Sequence, residues 1–340
     1  MIIILGLIPT AFENLWTNDD YDKLWEEVAV QENKFPQTAY DLVDNIYRKA
    51  IKEERDDQLI KAIMYKTRLS RSIKDEDPAQ EILAMEKEMS VLKSDAGRAV
   101  YASLIGQLYH NYGLRNAYRF QNRTQIRGNE GTESDLAFSS LEYIQTKAAQ
   151  YYIQSLDISS DISLDNMETL LESVEDESSF LKANNLVQFL HLRAIQHFVQ
   201  SNAFVGLPSG HLQYNGPEYF EDNLEGGTAF SPAESDFSDV NKMVLWIFSK
   251  TLNETNLEEH QRIWLRTQWI SHVYHNAGFH EKVEAYISAL HNLIDSNVSK
   301  QGVEYPTLKL INFYISQVSR PSSDTAKTTY WQKQRNWFRT

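Results

Sequence analysis

The sequence predicts an all-α protein, an irregular array of helical hairpins in two lobes joined by a long structured loop. Three observations predict it. Apolar residues recur at three- and four-residue steps along most of the 340 residues, which is the signature of helices with one buried face. Only 13 Gly and 8 Pro punctuate the chain, few for its length, and this favours long regular elements over a turn-dense fold. No stretch shows sustained strict alternation bounded by tight-turn dipeptides, so no sheet is expected.

The chain opens with "MIIILGLIPTAFENLW", an apolar run from Ile2 to Ile8 closed by Pro9. Residues 1–12 read as a truncated signal peptide whose basic leader is clipped, since the first positive residue is Lys23. A buried N-terminal helix or strand is the alternative reading. The run is too short to span a bilayer, which takes roughly 20 apolar residues.

An N-terminal helical lobe is expected over 13–205. Tyr21, Leu24, Trp25 and Val28 make the first amphipathic face. The stretch "KFPQTAYDLVDNIYRKAIKEERDDQLIKAIMYKTRLS" then reads as a helix pair. Pro36 suits a first helical turn, and Val43, Ile46 and Ala50 share one stripe. "KEERDDQ" is read as a polar turn, followed by a second helix through Leu59, Ile63 and Leu69. "PAQEILAMEKEMSVLKS" and "AVYASLIGQLYHNYG" continue the pattern, with Tyr101, Leu104, Ile105, Leu108 and Tyr112 on one face. Beyond a polar segment at 121–134, helices are expected at 135–157, 164–174 and 179–202.

Between 206 and 237 the composition changes. This segment holds five of the 13 Gly and three of the 8 Pro, and loops of such length are usually functional or inter-lobe. Tyr214, Tyr219, Phe220 and Phe230 would let it pack as a structured connection. A C-terminal lobe is expected over 238–340, with helices at 236–252, 257–277, 280–296 and 302–318. Its basic, aromatic tail "KTTYWQKQRNWFRT" reads as the start of a further helix whose neighbours lie past Thr340. Ala39, Val43 and Ile46 keep the small-then-large spacing of a tetratricopeptide second helix, without an exact period, so the array is tetratricopeptide-like but irregular.

Charge and composition narrow the function. The formal net charge is −14, which opposes a general nucleic-acid role and binding to anionic membranes. The absence of Cys excludes disulfides, thiolate metal sites, a Cys nucleophile and an acylated lipoprotein cysteine. His272 and His275 stand three apart with His280 beyond, a spacing that can face one metal. No carboxylate completes a ligand frame, however, and helix-surface or interface histidines are the better reading. His191 and His197, six apart, share a face poorly. The acids from Asp157 to Glu177 lack the alternate spacing and central Gly of a calcium loop and read as a solvated face. Gly226-Gly227 reads as a turn, outside any phosphate-binding frame. Asn122, Asn253 and Asn297 match the glycosylation sequon, a weak signal at that length. No catalytic, cofactor-binding or metal-ligating residue is therefore expected, and no enzymatic activity.

The passage "YDKLWEEVAVQENKFPQTAYDLVDNIYRKAIKEERDDQLIKAIMYKTRL" resembles the start of the alpha-2-macroglobulin-like proteins of Bacteroidetes-type bacteria. "LYHNYGLRNAYRFQNRT", "NNLVQFLHLRAIQHF" and "AFSPAESDF" are similar to later segments of the same helical region, in the same order. The likeness runs from about Tyr21 to Tyr314, although "TESDLAF" departs from the family's pattern. The resemblance implies an exported, periplasmic or envelope protein, a scaffold or docking module. Its partner would be another protein or further domains of the same polypeptide, with a protease as target at the level of the family alone. The family's β-sandwich domains are not in this sequence. Its Cys–Gln thioester, used to trap proteases covalently, cannot form without Cys. The alternative is a stand-alone tetratricopeptide-like protein of the envelope that binds a peptide or glycan.

Overall fold

The computed structural model describes residues 20–74, 77–120, 139–158, 183–201, 212–221 and 239–319, together with Leu136 and Leu224. These residues form eleven α-helices and no strand. The chain divides into two compact units, the first carrying α1–α7 and the second α8–α11 with residues 212–221. The N-terminal run, the expected helix at 164–174, Phe230 and the basic tail lie outside the described residues.

In the first unit, α1 (Asp20–Gln31), α2 (Pro36–Glu53) and α3 (Asp56–Lys74) pack as successive hairpins. The spacing of α2's apolar stripe explains its packing: Ala39, Val43, Ile46 and Ala50 are all buried, with Pro36 in the first turn. The helix stops where Glu54 turns left-handed at φ 54° and Arg55 N–H bonds back to Ala50 O at 3.0 Å. α4 (Pro78–Glu88) starts on Asp77, whose side chain accepts from Ala79 N–H. A 3-10 turn at Met89–Val91 separates it from α5 (Asp95–Phe120), the longest helix. α5 packs along α6 (Leu141–Gln154) and also against α3, α4 and α7 (Leu186–Ser201).

Polar caps explain why several helices begin later than periodicity suggests. Ser140 Oγ accepts from Tyr143 N–H at 3.1 Å, and Asn185 Oδ1 from Gln188 N–H at 2.9 Å. Each satisfies an amide that the helix itself leaves without an acceptor.

A second device holds the first unit together. Tyrosine hydroxyls donate to glutamates across helix boundaries, from Tyr21 to Glu53 at 2.8 Å and from Tyr47 to Glu88 at 2.7 Å. Tyr109 on α5 and Tyr151 on α6 converge on one oxygen of Glu86 on α4, at 2.8 and 2.7 Å. Burial, then the facing carboxylate, raises the pKa of both tyrosines, so they remain donors.

The second unit comprises α8 (Val240–Glu254), α9 (Glu259–Asn276), α10 (Lys282–Asp295) and α11 (Glu304–Ser319). Asp239 caps Lys242 N–H with one oxygen and takes Leu212 N–H with the other, at 3.0 and 2.9 Å. That bridge ties residues 212–221 to α8. Tyr214 and Phe220 of this segment are buried. Trp269 of α9 is also buried, its indole N–H donating to Tyr219 O at 2.8 Å.

Candidate functional site

The first unit contains a cleft of about 260 Å³ where α3, α4 and α5 converge. Helical spacing supplies its walls. From α3 come Met64, Thr67, Arg68 and Arg71, at three- and four-residue steps. α4 adds the buried Ile82 and Met85. α5 contributes two parallel ladders at one-turn intervals, Leu104–Leu108–Tyr112 and Gln107–Asn111–Arg115. Tyr101, Ile105 and Tyr112 of this helix are buried, whereas Leu104 and Leu108 are half-buried and line the cleft.

The charges around it differ in commitment. Arg68 pairs with Glu32, in the turn just past α1. Arg71 grips the buried Glu81 with two nitrogens, Nε donating at 2.7 Å, and the hydrogen bond raises the arginine's pKa. Arg115 is exposed and has no ion pair among the described residues. Gln107 gives its oxygen to Arg193 Nη2 of α7 at 2.7 Å, while Arg193 Nε donates to Ser103 Oγ at 2.9 Å. Burial lowers the Arg193 pKa, but a guanidinium starts so high that it stays charged. Gln107 Nε2 and the Asn111 amide make no hydrogen bond among the described residues.

Chemically, the cleft offers apolar surface, adaptable Met side chains, uncommitted amides and fixed positive charge. Its one carboxylate among the described residues, Glu81, is engaged by Arg71. Pockets for whole small-molecule ligands usually run from about 300 Å³ upward. At about 260 Å³ the space suits one or two side chains.

The histidines singled out in the sequence go elsewhere. His272 is buried in the second unit, edge-on to Tyr214 and stacked near Trp269. Its Nε2 lies 3.3 Å from Tyr214 Oη, which also donates to Asn241 O at 3.0 Å. Burial, with a smaller push from His275, lowers its pKa to about 4. His275 Nδ1 sits 2.6 Å from Ser271 O of its own helix, and His280 is exposed. His191 and His197 are both buried. No group of three or more His, Cys, Asp or Glu among the described residues is placed to hold a metal ion.

Of the sequons, Asn297 is buried with its amide donating to Leu293 O at 2.8 Å, while Asn253 is exposed and Asn122 lies outside the described residues. Of the acids from Asp157 to Glu177, only Asp157 is described. No helix among the described residues is long and apolar enough to cross a membrane.

The polar turn expected at "KEERDDQ" needs correcting. The turn is Glu54–Arg55, and Asp56, Asp57 and Gln58 are buried at the start of α3. Asp56 accepts from Lys93 N–H at 3.1 Å, Ser94 N–H at 2.6 Å and the Ser94 hydroxyl. Ser94 in turn caps Gly97 N–H at 2.9 Å. Asp57 is held by Arg55, and Gln58 Oε1 accepts from Trp25 Nε1 at 2.7 Å. The sequence reading also missed the cleft; amide and guanidinium residues at four-residue steps beside an apolar ladder were its available signal.

No family model, curated protein or solved structure matches this chain.

Proposed function

We propose that this chain is a non-enzymatic docking module and that the α3–α4–α5 cleft is where a protein partner seats a segment. The observation that carries this reading is the cleft itself, apolar at its base, with Arg115 and the Asn111 amide uncommitted among the described residues. Its cavity matches a side chain in size, and its charge is opposite in sign to that of the whole chain. We further propose that the chain is the helical N-terminal region of an alpha-2-macroglobulin-like envelope protein. The order and spacing of the resembling segments support that assignment. On this reading the protein is exported, and it holds β-sandwich domains or another protein in place. Protease inhibition belongs to the family and needs parts that these residues do not supply.

A stand-alone peptide- or glycan-binding protein of the envelope is the second reading, favoured by the uncommitted amides along α5. An open frame of β-sandwich domains following Thr340 is what the first reading expects; an unrelated neighbouring gene favours the second.

The docking role is tested with a displayed library of random peptides and a panel of ester, peptide and glycoside substrates. The wild-type chain should retain a defined peptide set and turn over no substrate. Leu108→Asp and Met64→Asp, each checked for helicity by circular dichroism, should lose that set. Equal retention by folded variants, or turnover by the wild type, would sink the proposal.

A further inference from the structure

Resting on the docking reading above, we propose that the cleft binds an extended peptide, reading its backbone through α5 amides and an acidic side chain through Arg115. Successive rungs of the Gln107–Asn111–Arg115 ladder are four residues apart on a helix, a rise of about 6 Å. Two residues of extended chain advance about 6.6 Å. A peptide laid along α5 would therefore present a backbone amide to Gln107 and another to Asn111 in near register. Its intervening side chains would turn toward Leu104 and Leu108, the neighbouring apolar ladder.

The polar groups are suitably poised. Arg193 holds the Gln107 oxygen, which leaves its Nε2 to donate to a peptide carbonyl. Asn111 has both a donor and an acceptor uncommitted among the described residues, the pair of functions a peptide unit complements. A fatty carboxylate would fill the apolar base equally well. It would, however, cover the two amides with hydrocarbon and leave them unsatisfied, at a cost that a peptide avoids.

Charge selects the side chain. Arg68 and Arg71 are already neutralised by Glu32 and Glu81, so among the described residues the cleft's one uncompensated charge is Arg115. It stands exposed at the end of the ladder. An Asp or Glu within the peptide, not only a terminal carboxylate, can therefore reach it.

The test is a positional library of N-acetylated, C-amidated octapeptides, panned on the full chain and on Arg115→Glu. The wild type should enrich Asp or Glu at a fixed separation from an apolar residue, and the charge-reversed variant should enrich Lys or Arg there. A selected peptide should bind Arg115→Glu about tenfold or more weakly, the scale of a lost charged hydrogen bond. N-methylation at alternate peptide positions should weaken binding too.

Acid enrichment that survives Arg115→Glu, or retention with no acid preference, overturns this inference; the docking reading stands if Leu108→Asp still abolishes retention. Retention of no peptide at all, or displacement of peptides only by sodium laurate, overturns both.

Discussion

His110 on α5 and His197 on α7 meet ring to ring, with their Nδ1 atoms 3.1 Å apart. A hydrogen bond between two such nitrogens requires one to donate and the other to accept, so a proton cannot sit on both. Tyr152 of α6 stacks on His197 at 4.3 Å, and Phe198 closes its edge. The nearest fixed charge on the same helix, Arg193, is turned onto Ser103 and Gln107.

Burial first, and His110 second, push the His197 pKa well below the ordinary value of 6.5. The unfolded chain takes up a proton below that value while the folded one does not. Stability should therefore be full above about pH 6.5 and decline as pH falls from there. Urea titrations of the wild type and His197→Gln between pH 8 and 4.5 measure this. The variant should show a shallower acid decline; parallel curves would refute the assignment.

His272 gives the second unit its own acid limb. Its folded value near 4 against 6.5 amounts to about 3 kcal/mol, lost between those two pH values. Tyr214→Phe removes the hydroxyl that bonds Asn241 O and faces His272 Nε2. It should cost about 1–2 kcal/mol at neutral pH, measurable as a lower denaturation midpoint. Trp269 packs against both residues, so a variant that keeps Trp269 as its one tryptophan would report this unit by fluorescence.

Asp56→Ala should destabilise the first unit by about 3 kcal/mol, because three donors around Ser94 lose a charged acceptor within a buried site. Gly97→Ala tests the same contact from the other side. An added Cβ would stand 2.4 Å from Asp56 Oδ2, closer than atoms tolerate. Both variants should lower the urea midpoint, and a neutral result for either would mean that the junction is looser than described.

Gly302→Ala should cost about 1–3 kcal/mol. The residue has φ +100°, a region that side chains rarely enter, and a Cβ there would stand 2.9 Å from His260 Cα. Thermal denaturation of the variant checks it. An unchanged midpoint would show that the turn between α10 and α11 can relax.

The helices were legible in the sequence because burial imposes a period on each of them separately. Val43, Ile46 and Ala50 recur on one stripe of α2 whatever lies opposite. Asp56 was not legible in the same way. Its partners are 37 and 38 residues away along the chain, and a run of charged residues looks solvated until they are known. The cleft escaped for a related reason. Met64, Ile82 and Leu108 belong to three helices, and periodicity describes a face without naming what it meets. Leu104 and Leu108 belong to the face that the pattern defined, yet stop short of full burial. His272 shows the reverse error. Its place beside His275 read as a helix surface, but its ring is buried among aromatics while His275 bonds its own helix.

The Asp56 junction also sets the rotational phase of α5. Each residue of a helix turns the next by about 100°, so a one-residue slip at Ser94 would swing every later side chain around the axis by that angle. Gln107, Asn111 and Arg115 would then face away from α3 and α4. A carboxylate at the start of α3 thus acts as the indexing pin for the proposed recognition surface about 20 Å further along a different helix. Altered ligand preference, and not only lost stability, is what mutations at that pin should produce.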